Sequence, residues 1–203
     1  MTVISNGTNL INNGTLDSGI VTGTMTLIKT LTASSSATLS FVDGASSVVL
    51  DGTYDSYVFK FIDISNGSNA TFQFNVSIDG GSNYNVAKTT TRFRAEINEG
   101  DGSDVALAYQ TGEDLANATG AQVIASVRSD ADSSCVGTLQ IFDPASTTKV
   151  KHFLSRLHSS NGDYCEDHFN AGYANTTSAV NAIQFSMSAG NIAAGTIKMY
   201  GIV

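Results

Sequence analysis

From residue 24 onward the apolar side chains recur at every second position, and that period limits what the chain can become. Alternate residues share a face only on an extended strand, so such a run buries one face of a sheet and wets the other. The cleanest run covers residues 71–78, which sets Phe72, Phe74, Val76 and Ile78 inward and Gln73, Asn75 and Ser77 outward. Residues 57–64 place Tyr57, Phe59 and Phe61 on one face and Val58, Lys60 and Ile62 on the other. Met25 and Leu27 alternate with Thr24, Thr26 and Ile28, and residues 38–42 read as the next strand. Residues 92–97, 105–109, 121–127, 137–142, 149–157, 169–174, 182–187 and 195–202 continue the series.

Clusters of Gly, Asn, Asp and Ser separate these runs at the spacing of a two-layered β fold. The expected fold is therefore all-β, a jelly-roll-like antiparallel β-sandwich over residues 24–203, with only residues 113–118 offering a short helical stretch. Composition agrees. Ser, Thr, Asn and Gly supply about 40 % of the chain, charged residues only 14 %, and there is 1 Pro. Small hydroxyl-bearing residues with few charges suit short strands, tight turns and surfaces that pack on other protein. A chain of 203 residues buries roughly 70 % of its unfolded surface, enough to fold without a disulfide or a metal. Cys135 and Cys165 are expected as two reduced, mostly buried thiols; a bridge between them is the alternative.

Residues 1–23 have a different character from the strand-patterned remainder of the chain. Asn6-Gly7, Asn13-Gly14 and Ser18-Gly19 punctuate short extended pieces that carry Val3, Ile4, Leu10, Ile11 and Leu16. The stretch is too sparsely apolar to hold a core of its own. It is read as an N-terminal arm that anchors on a neighbouring subunit through those five residues, with a frayed terminus as the alternative.

The charge balance excludes several functions. A net charge of −8, from 10 Lys+Arg against 18 Asp+Glu, leaves no clustered basic surface for nucleic acid or for anionic membrane. No run of about 18 apolar residues is present to cross a bilayer. The first basic residue is Lys29, so the opening residues do not read as a secretory signal. The Asn-x-Ser/Thr triplets at Asn6, Asn13, Asn69, Asn75 and Asn175 are what chance gives in so Asn- and Ser-rich a chain.

The motifs that carry chemistry are few. Ser77-Ile78-Asp79-Gly80-Gly81-Ser82-Asn83-Tyr84 resembles the Asp-box hairpin of sialidases, and a hairpin turn after the preceding strand explains its residues. His152, His158, Cys165 and His168 lie close in sequence, but only Cys165-x-x-His168 has a metal-like spacing. Alternation over residues 149–157 sets Val150, His152, Leu154 and Arg156 on the expected core face. Asp101 to Asp104 and Asp130 to Ser133 read as acidic turns, since neither completes a calcium loop. With no P-loop, no HExxH and no G-x-S-x-G, the chain is expected to be neither an enzyme nor a cofactor or metal carrier.

The run Leu31-Thr32-Ala33-Ser34-Ser35-Ser36-Ala37-Thr38-Leu39-Ser40-Phe41 resembles small virion structural proteins of marine tailed phages, of the cyanophage and pelagiphage type. Residues 57–64, 77–94, 107–109, 142–153, 172–179 and 188–202 fit the same pattern. The resemblance implies a component of a phage virion; the reading built on it is a virion surface protein assembled in the host cytoplasm, a homotrimer that contacts the major capsid protein as a capsid decoration (cement) protein. The alternative is a tail or head-fibre module that binds host-surface glycan, with Tyr84, Tyr109, Tyr164 and Tyr173 as stacking residues.

Overall fold

The computed structural model describes residues 25–203 with their side chains, preceded by the main chain of three short strands. Those strands, β1 (Val3–Ser5), β2 (Thr8–Asn12) and β3 (Thr15–Leu16), pair antiparallel in the order β1-β2-β3. The side chains of Val3, Ile4, Leu10, Ile11 and Leu16, and the docking expected of them, lie outside the described residues.

Twelve further strands lie among the described residues: β4 (Met25–Thr32), β5 (Thr38–Val42), β6 (Ser56–Asn66), β7 (Ala70–Ser77), β8 (Lys88–Asn98), β9 (Val105–Tyr109), β10 (Gln122–Val127), β11 (Cys135–Phe142), β12 (Lys151–Asn161), β13 (Tyr164–Ala174), β14 (Ala182–Met187) and β15 (Ile192–Ile202). They form an eight-stranded antiparallel sheet, β4-β15-β6-β11-β12-β13-β8-β9, and a four-stranded one, β10-β7-β14-β5. The two sheets face each other as a β-sandwich across one shared core. The larger sheet runs past the smaller at β8 and β9.

Phenylalanines clamp the sheets together. Phe185 on β14 lies 5.4 Å from Phe59 and 5.2 Å from Phe61, both on β6 of the opposite sheet. Phe41 on β5 meets Phe59 edge-on at 5.3 Å, and Phe74 on β7 meets Phe153 on β12 at 5.0 Å. Edge-to-face pairs of this kind add about 0.5–1.5 kcal/mol to the area they bury. Tyr57 is also fully buried; its hydroxyl donates to the Asp51 carbonyl at 2.8 Å, and burial raises its pKa to about 12.

Four sequence expectations change in the folded chain. Strand β7 ends at Ser77, so Ile78 is 42 % exposed while Asn75 and Ser77 are buried. Asn75 is covered because its amide donates to the Thr119 carbonyl at 3.0 Å and its oxygen accepts from Lys88 Nζ. Strand β4 changes face at a bulge between its pairings Lys29–Met199 and Leu27–Tyr200, which turns Ile28 and Leu31 to the core and leaves Met25 and Leu27 in solvent. Residues 113–118 form no helix, because their main-chain groups bond to β8 instead of to one another: Thr90 N donates to Leu115 O, and Lys88 and Ala118 exchange both bonds. Finally, the turn after β7 is real but makes no hairpin, since β7 and β8 belong to different sheets. Asp79 ties that turn by accepting from Ser77 Oγ at 2.6 Å and from Asn83 N and Nδ2, and these bonds hold its carboxyl down near pKa 2.

Candidate functional site

Two places on the two faces of β8, β13 and β12 collect polar or aromatic side chains. The first lies inside. Strands β8, β13 and β12 carry an inward series of polar residues, Thr90 and Arg92, Glu166, His168 and Asn170, Ser155, Ser159 and Asn161, all buried. His168 Nδ1 lies 2.9 Å from Arg92 Nη2, and its Nε2 lies 2.9 Å from Ser159 Oγ and 3.4 Å from Glu166 Oε2. Glu166 also accepts from Asn161 Nδ2 at 2.8 Å and faces Arg94 Nη1 at 3.1 Å. Arg92 Nη1 pairs with Glu113 and Arg94 Nη2 with Glu96.

A serine, a histidine and a carboxylate in contact suggest a nucleophile and its base, but the donors decide otherwise. A guanidinium only donates, so the His168 nitrogen facing Arg92 must accept and Nε2 must carry the proton. An Nε2–H group donates toward Ser159 and Glu166 and has no lone pair with which to activate a hydroxyl. His168 is kept neutral because burial and the facing Arg92 lower its pKa. Burial pushes the Glu166 carboxyl up, yet the bonds from His168 and Asn161 and the Arg94 charge outweigh it, so its pKa falls. The cluster is a buried polar pillar that joins three strands.

His168 does not approach Cys165, because residues three apart on β13 take opposite faces. The two cysteines are free, Cys135 buried and Cys165 exposed, contrary to the expectation that both are buried. Burial raises the Cys135 thiol pKa. Cys165 Sγ sits 3.2 Å from His158 Nε2 across the β12–β13 pair. Among the described residues no three His, Cys, Asp or Glu side chains gather as metal ligands. Ser103 and Asp101 close their acidic turn by hydrogen bonds at 3.0 and 2.7 Å.

Strand β12 corrects the placing of His152. Lys151, Phe153, Ser155, Leu157 and Ser159 face inward, and His152, Leu154, Arg156 and His158 face outward. The lysine misleads because its four methylenes cover core while Nζ reaches main-chain oxygens, here those of Lys149 at 2.6 Å and Thr176 at 3.3 Å.

The second place is the outer face of the same strands. Register aligns Tyr109, Phe93, Phe169, Arg156, Thr138 and Lys60 in one row across β9, β8, β13, β12, β11 and β6. Phe93 and Phe169 stack at 4.7 Å with 7° between their planes, and Arg156 covers the other side of Phe169 at 4.9 Å. Arg156 is also held by Asp167, Nε at 3.1 Å and Nη2 at 2.7 Å from Oδ2. In the neighbouring row Thr91, Ala171, Leu154 and Gln140 stand side by side. Above the small Ala171 side chain the sheet has a groove of about 390 Å³.

The four tyrosines do not form one platform. Tyr164 and Tyr173 occupy opposite ends of β13, paired with Asn98 and Thr89. Tyr109 lies on the outer strand β9 with its hydroxyl 2.8 Å from Asp114, Tyr164 donates to Asp104 at 2.6 Å, and Tyr84 sits in the turn after β7 with its hydroxyl close to Gly81. Only Tyr173 borders a hollow of the sheet, next to Ala171. Neither the stacked phenylalanines nor the buried His168 cluster is apparent from sequence. Their one signal is that β8 alternates Arg92, Arg94 and Glu96 with Phe93, Ala95 and Ile97, and spacing alone does not say that the charged side turns inward.

No protein family, curated protein or solved structure matches the chain.

Proposed function

We propose that the chain is a structural module of a bacteriophage particle, a capsid decoration protein that works by burying surface against its own copies and the shell. The carrying observation is the free edge of the larger sheet. Strand β9 ends that sheet with Val105 59 %, Leu107 75 % and Tyr109 51 % exposed, beside Ile97 at 42 % on β8. An exposed apolar edge strand is a template for pairing with another chain, and a monomer would normally blunt it with charge. Assembly satisfies it. The strand order supports reading the sandwich as a jelly roll: β4-β15-β6-β11 faces β5-β14-β7-β10, and successive strands of this set cross between the sheets except at the β7–β10 pair, with β8, β9, β12 and β13 added at one side. The resemblance to phage virion proteins supplies the particle, and the homotrimer and the major capsid protein are the partners it implies.

Sedimentation of the purified chain is the test. The wild type should sediment as a trimer. Leu107→Lys with Val105→Lys should sediment as a monomer at unchanged melting temperature, and should lose its place on reconstituted capsids. A wild-type chain that stays monomeric, or a double variant that still trimerises and decorates, overturns the proposal.

A further inference from the structure

The groove over Ala171 lies away from the β9 edge residues Val105 and Leu107, and it has its own chemistry. Ala171 stands two residues from Phe169 and two from Tyr173 on the outer face of β13, so a methyl group separates two aromatic rings. Its cross-strand neighbours are Thr91 on β8 and Leu154 on β12. The resulting trough of about 390 Å³ falls within the roughly 300–1,000 Å³ of small-molecule sites. It continues along Thr89, Thr91 and Tyr173 as a second hollow of about 200 Å³. The two rings stand four positions apart on the strand, a span of ~13 Å, the length of a short chain of sugar rings and not of one.

We propose that this groove binds a neutral oligosaccharide. Charge is the first argument. Arg156 is the charged side chain on the wall of the larger hollow, and it is already neutralised by Asp167 on two nitrogens and stacked on Phe169. Among the described residues, an anionic ligand would find no free cation in the groove. Hydrogen bonding is the second. The groove crosses the middle of a sheet whose main-chain groups are consumed by pairing with both neighbours, so an extended peptide has no edge to join. What remains for a ligand are hydroxyls and an amide: Thr89, Thr91, Thr138 and Gln140. Gln140 Nε2 donates to Ser56 Oγ at 2.9 Å, which leaves its oxygen to accept from a ligand hydroxyl. A sugar offers apolar C–H groups to the Tyr173 ring, to Leu154 and to the edge of Phe169, whose two faces Phe93 and Arg156 already cover, and donors and acceptors to that rim. Binding without bond cleavage is what the groove can perform, since no carboxylate among the described residues lines it.

The experiment uses the full chain against gluco-, xylo-, manno- and galacto-oligosaccharides, with sialylated and sulfated glycans alongside, followed by calorimetric titration. At least one neutral series should bind. Ala171→Leu, which fills the trough from an outward position, should weaken it at least about tenfold at unchanged melting temperature. Tyr173→Ala should weaken longer chains more than shorter ones. No neutral binder, binding confined to anionic glycans, or an Ala171→Leu chain that binds as well as wild type overturns the proposal. So does an Ala171→Leu chain whose only change is its oligomeric state, because the groove is then an interface between copies. Failure here leaves the β9 assembly untouched, since sedimentation reads that edge and titration reads this groove.

Discussion

At the scale of single residues, the buried polar pillar links folding to pH. His168 is neutral in the folded chain with a pKa lowered by burial and by Arg92, whereas an unfolded histidine titrates near 6.5. Below about pH 6.5 the unfolded state therefore binds a proton that the folded state refuses, and stability falls as pH falls, by up to ~1.4 kcal/mol per pH unit. Glu166, whose folded pKa is also lowered, adds a second loss below its ordinary value of 4.5, because protonation again favours the unfolded chain. The urea midpoint should decline between about pH 6.5 and 5.5, and His168→Gln should remove that decline. An equal midpoint at both ends of that window for the wild type would refute the account. Phe185 sets the other extreme. It touches five phenylalanines, and Phe185→Ala should cost roughly 3–5 kcal/mol by chemical denaturation, far more than Phe93→Ala on the outer face.

At the scale of the element, bulges decide which residues face the core. Period two reads the strands 105–109, 182–187 and 38–42 at their observed bounds, because these are short and regular. It fails on β4 and β12, where one extra residue and a lysine stem change the face turned to the core, while on β7 it sets Phe72, Phe74 and Val76 inward as found and misses the covered Asn75 and Ser77. The pairing of β15 with β6 shows how such a bulge is held. Its register shifts on both sides of Ala194, Asp63 takes φ 50° and Gly195 takes φ 115°. A Cβ on Gly195 would lie 2.6 Å from the Asp63 carbonyl oxygen and 2.7 Å from Ile64 Cα, both main chain, so the clash cannot be relieved by a rotamer. Gly195→Ala should lower stability by at least about 1–3 kcal/mol, read as a fall in melting temperature, while Gly44→Ala, with open space around it, should lose less.

At the scale of the whole molecule, the proposed assembly assigns anchoring to residues 1–23 and contact between copies to the β9 edge. Removing residues 1–23 should leave the melting temperature of the sandwich within error and abolish incorporation into particles, as counted by occupancy in a reconstruction. Full decoration by the truncated chain would remove the anchoring role. The sequence by itself determined that the chain is all strand and two-layered, because a period of two can bury a face only in a sheet and so many short runs need a second sheet to cover them. It also marked most strands to within a few residues. The tertiary structure alone decided that the larger sheet extends past the smaller, that Arg92, His168 and Glu166 meet inside it, and that Phe93 and Phe169 stack on its outer side. These facts depend on which strand lies beside which, across up to 76 residues between Arg92 and His168, and local spacing carries no record of such pairings.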